Sequence, residues 1–165
     1  MENEISQQKN AASKSIIKYI LLTGLLAGTL DISAAFINYM ISTGAKNPVV
    51  VLNFIASGVF DKAAFSDGFF YPLSGLLFHF IIAYSFTTFF FLLYPKVKSF
   101  LKNKYLAGVI FGLFTWLVMN LIVLPLSNTP SLHRSAPQII LSVLFLVFFI
   151  GFPAAIIADK FYSQD

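Results

Sequence analysis

Apolar residues in this chain come in long unbroken blocks, and polar residues collect between them. Four such blocks run over about 16–41, 69–94, 105–127 and 138–158. Each matches the roughly 20 helical residues that a bilayer core requires. A fifth block, over about 48–60, is too short to cross. Asn47 before Pro48 is a helix-start signal there, with Asn47 as N-cap and Pro48 at the first helical position. This piece predicts a re-entrant or interfacial helix, followed by a short helical turn in DKAAFSDG. The Tyr94-Pro95 pair is taken to end the second long helix, because proline and its predecessor both resist helix continuation. Residues 1–15 are polar and lack periodicity, which predicts a mobile tail.

The few polar residues inside the blocks fall at helical spacing. In the first block, Gly24, Gly28, Asp31, Ala35 and Asn38 line one stripe. A carboxylate in such a segment costs several kcal/mol to insert unless it faces protein or water, so the stripe should face other helices. The second block repeats the pattern with Gly75, His79, Ala83 and Thr87. In the third lie Gly108-x-x-x-Gly112, Thr115 and Asn120, and in the short helix Asn53 and Ser57. The phenylalanine-rich stretch FTTFFFLLY is expected to face lipid. Counting helical rise from the block ends puts Asp31 at roughly 15 Å, His79 at roughly 14 Å and Asn120 at roughly 10 Å from the same membrane face. Asp31, His79 and Asn120, with Asn38 and Asn53, are therefore the candidates for one outward-facing pocket. Gly24, Gly28, Gly108 and Gly112 are the candidates for close helix packing, pinching the bundle at its other end.

Composition agrees with this class. Hydrophobic residues make up 58% and charged residues only 11%, with 20 Phe, more apolar surface than a soluble core of this size hides. The net charge of +4 is clustered. Lys9, Lys14, Lys18, Lys96, Lys98, Lys102, Lys104 and Lys160 fall on one side of the predicted bundle, and Lys46, Lys62 and Arg134 on the other. Such bias places both termini in the cytoplasm. An uncleaved first span is favoured over a signal peptide cut near Ser33-Ala34-Ala35, because the apolar block continues beyond that point. A single arginine and no basic stripe speak against nucleic acid as a partner. The lysine linker sets topology and faces anionic lipid heads.

Candidate chemistry rests on Asp31 and His79. A low-dielectric site disfavours both charged forms while mutual pairing favours both, so an acid–imidazole couple can exchange a proton. Each residue also has a packing reading: Asp31 as a bridge between helices, His79 as a satisfied interior histidine, Asn120 as interhelical glue. Signatures of common enzymes are missing: no H-E-x-x-H, no G-x-S-x-G and no P-loop. Histidines at positions 79 and 133 do not supply a transmembrane haem site, and without cysteine there are no thiolate ligands, so no cofactor or metal is expected.

The stretch GLLFHFIIAYSFTTFFFLLYPKVK, followed by AGVIFGLFTW and VLPLSNTP, resembles small bacterial inner-membrane proteins of the YagU type. The likeness covers roughly residues 75–130. It implies a four-span inner-membrane protein without an assigned reaction and draws interest to His79, Pro125 and Pro130. Asp31 has no counterpart in it.

The expectation is an all-α membrane protein, a four-transmembrane-helix bundle (residues 16–160) with a short helix between spans one and two. Its partner is the lipid bilayer, and a carrier of only four spans would self-associate. Proton-linked handling of a small polar solute leads. An accessory or scaffold protein is the alternative, and a membrane-embedded enzyme comes third.

Overall fold

The computed structural model describes residues 2–131 and 135–163, with side chains from Ile16 onward. His133 and Arg134, assigned above to a polar loop and to the orientation count, lie outside the described residues. Four helices are long and apolar enough to cross a membrane: Ile16–Thr43, Phe70–Leu101, Lys104–Leu126 and Ala136–Tyr162, here the first to fourth spans. Among the described residues there is no strand. The first helix runs from Glu2 to Thr43 and so includes polar residues ahead of Ile16.

The short helix covers Val49–Phe60 and passes into a 3-10 turn, Asp61–Phe65. Asn47 caps it by accepting a hydrogen bond from Val49 N at 3.0 Å, while Pro48 occupies the N-cap position. Its strongest packing is against the second span. There Gly75 meets the backbone carbonyl of Leu52 so closely that any Cβ would collide with it. The loop after the third span also holds the short helix, with Asn128 N donating to Gly58 O at 3.1 Å.

The first span packs on the second and fourth, and the third packs on the fourth and second. Small residues set the closest approach. A Cβ on Gly112 would lie 2.5 Å from Val147 Cα, and one on Gly108 would lie 3.0 Å from Gly151 O, so the third and fourth backbones nearly touch. Gly24 and Gly28 work differently: they receive the rings of Tyr84 and Phe80 from the second span. Trp116 Nε1 donates to Ser142 Oγ at 2.8 Å and adds a polar tie between spans three and four.

Pro95 does not end the second span, which continues to Leu101. Proline lacks the N–H that would bond the carbonyl four residues earlier, that of Phe91. Tyr162 on the fourth span donates its hydroxyl to that carbonyl at 2.8 Å. A tertiary donor thus replaces the missing helical one, as neighbouring helices often do inside membranes. The third and fourth spans solve the same problem with π-turns, Met119–Val123 and Val147–Gly151, each followed two residues later by a proline. Leu124 N bonds Met119 O and Phe152 N bonds Val147 O, five-residue steps that widen the turn ahead of Pro125 and Pro153.

The core lies toward the end of the bundle where the second and third spans join. Phe90, Phe91, Tyr94, Phe111, Ile150 and Phe161 fill it around Ala107, Ala154, Ala155 and Ala158. This corrects the lipid-facing reading of FTTFFFLLY: Phe91 and Tyr94 are 0% and 1% exposed, while Phe89 and Leu92 of the same stretch face outward. A run of phenylalanines carries no period of its own, so its inward face was illegible.

Candidate functional site

Two polar clusters occupy opposite halves of the bundle. The first joins the polar stripes of spans one and two. Both stripes turn inward, as their small residues require: Gly24, Gly28, Gly75, Ala83 and Thr87 are buried. The ring of His79 reaches across to the first span and its Nε2 bonds the backbone carbonyl of Gly28 at 2.8 Å. A carbonyl only accepts, so Nε2 carries the proton. Nδ1 is left without a hydrogen bond among the described residues. Phe80 packs edge-on against the same ring, with centroids 5.4 Å apart.

Asp31 sits one helical turn beyond Gly28 and is half-buried. Its carboxylate makes no hydrogen bond and no ion pair within 4 Å among the described residues. The arrangement is therefore an anchored imidazole beside an acid. The Gly28 bond holds in both the neutral and the protonated ring, because Nε2 donates in each. Proton exchange at Nδ1 would leave the ring in place.

The asparagine candidates have hydrogen-bonding situations that differ. Asn120 donates from Nδ2 to Trp116 O at 2.9 Å, within its own helix. It lies in the π-turn Met119–Val123. Asn38 accepts from Ser42 Oγ at 3.4 Å near the end of the first helix. Asn53 is on the short helix, and its buried Oδ1 has no hydrogen-bond partner among the described residues. Through the His79–Gly28 bond, spans one and two bring the imidazole within one helical turn of Asp31.

The second cluster was not anticipated. At the junction of spans two and three, Asp159 of the fourth span accepts from Tyr94 Oη at 3.2 Å. The same carboxylate pairs with Lys98 at 3.2 Å and with Lys104 at 3.7 Å. Lys98 also donates to Ser163 Oγ at 2.6 Å. Reading Pro95 as a helix end detached Lys98 from the second span and hid this convergence. The turn itself is two residues long. Lys102 closes the second span in the left-handed region, φ 52°, and Asn103 opens the third by accepting from Tyr105 N and Leu106 N.

Among the described residues, no group of three or more His, Cys, Asp or Glu is placed to hold a metal ion. The architecture defines the class: a multi-pass membrane protein with four candidate spans. In comparison with known proteins, no family model, no curated protein and no solved structure matches the chain.

Proposed function

We propose that this is a bacterial inner-membrane protein, with both termini cytoplasmic, that moves protons through the Asp31–His79 couple while handling a small polar solute. The observation that supports the reading is the 2.8 Å bond from His79 to the Gly28 carbonyl, which holds the imidazole by Nε2 one helical turn from Asp31 and leaves Nδ1 to exchange a proton. An acid and an imidazole inside apolar spans are costly to place there, and such residues commonly mark proton pathways. Lysine bias supports the orientation, and the resemblance to YagU-type proteins supports the membrane. In this orientation the couple lies in the outer half of the bilayer.

A second reading has its own support. The same His79–Gly28 bond ties two spans together, which is what a scaffold would require. Asp31→Asn separates the two, since it keeps shape and removes the titrating charge. Liposomes holding the purified protein and a trapped pH-sensitive dye, driven by a potassium diffusion potential, should acidify faster than protein-free vesicles between about pH 5.5 and 8. Asp31→Asn should fall to the protein-free rate while keeping its helical content and monodispersity. A folded Asp31→Asn protein that conducts like the wild type would leave only the scaffold.

A further inference from the structure

The cluster at the two-residue turn is more than an internal tie. Lys98, Lys102 and Lys104 line one cleft of about 220 Å³ together with Tyr94, Asn103 and Asp159. Asp159 is the sole acid in that lining, and its two oxygens are engaged by Lys98 and Lys104. Lys102 makes no ion pair among the described residues. Three cations against one anion leave the cleft positive, with two ammonium groups held in place by the carboxylate between them. The third is set by the left-handed turn, in which Lys102 N bonds Lys98 O at 3.1 Å.

The surroundings define what fits. Phe100 is 86% exposed and Tyr105 56% exposed, so large apolar side chains flank the turn in sequence, and the Lys104 ammonium lies over the Tyr105 ring at 5.6 Å. At the end of two spans, such rings belong at the boundary between headgroups and acyl chains. A free phosphate would use the ammonium groups alone. A phospholipid would use both, with its phosphodiester among the lysines and its chains along the exposed rings.

We propose that this cleft binds the headgroup phosphodiester of an anionic phospholipid. The site is independent of Asp31 and His79 and stands whether or not the protein moves protons. The test is native mass spectrometry of the full chain in detergent with equal amounts of phosphatidylglycerol and phosphatidylcholine. Wild type should retain phosphatidylglycerol in preference, and Lys102→Gln should lower that preference about fivefold, the factor expected for one lysine near an anionic surface. Lys46→Gln, the same charge change at the opposite end of the bundle, should leave it unaltered. Excess inorganic phosphate should not displace the lipid. Equal retention of both lipids by wild type, an unchanged preference in Lys102→Gln, or an equal loss in Lys46→Gln would overturn the proposal. Displacement by inorganic phosphate would overturn it in favour of a free anion.

Discussion

Tyr162 and Pro95 show how one hydroxyl lets a helix ignore a proline. The Phe91 carbonyl loses its helical donor at Pro95 and regains one from Tyr162, 71 positions away in the sequence. Removing that hydroxyl in Tyr162→Phe strands a carbonyl in the core, which costs about 1–3 kcal/mol. Pro95→Ala returns an N–H to the helix, so in that background the Tyr162→Phe penalty should shrink. Unfolding titrations of the four proteins of the cycle in detergent micelles measure the coupling. Equal penalties in both backgrounds would show that the Phe91 carbonyl does not depend on Tyr162. Sequence reading missed this because local rules for Pro95 are correct as local rules; the compensating donor is far along the chain. Asp31 and His79 were legible for the opposite reason. An ionisable residue in an apolar block stands out at once, and helical spacing alone says which face it shares.

At the scale of helices, close approach is decided by glycine. The short helix rests on the second span at Gly75, where the Leu52 carbonyl occupies the space of a side chain. Gly75→Ala should displace the short helix and destabilise the protein by about 1–3 kcal/mol, as overpacking does. Increased proteolysis around Val49–Phe60 in the variant would report it, and wild-type resistance would contradict the contact. The glycine pairs of spans one and three share one spacing and have different partners: aromatic rings for Gly24 and Gly28, backbone of the fourth span for Gly112, and both the Phe152 ring and the Gly151 backbone for Gly108. Spacing announces a small-residue face and is silent about what enters it. The π-turns were equally hidden, since a proline in an apolar block does not indicate how the carbonyl it frees is paired.

For the whole molecule, the block pattern was enough to find four spans and the short helix, because length and hydropathy decide both. It was not enough to find which spans adjoin. Helical rise assigns a depth to Asn120 and Asp31 but no lateral position; that the third span packs on the fourth and second is a property of the folded bundle alone. The proposed orientation has a direct check in a chain without cysteine. A membrane-impermeant maleimide added to intact cells should label Lys46→Cys and spare Lys102→Cys. The reverse pattern would invert the protein and place the couple in the inner half of the bilayer.

The central claim is that Asp31 and His79 act on each other inside the membrane. Infrared difference spectra across a pH step test it in the folded protein without knowledge of any solute. A carboxyl band that vanishes in Asp31→Asn identifies the acid, and that band should be displaced in His79→Gln. A band that stays in place when the imidazole is gone would show that the two residues are neighbours without being partners.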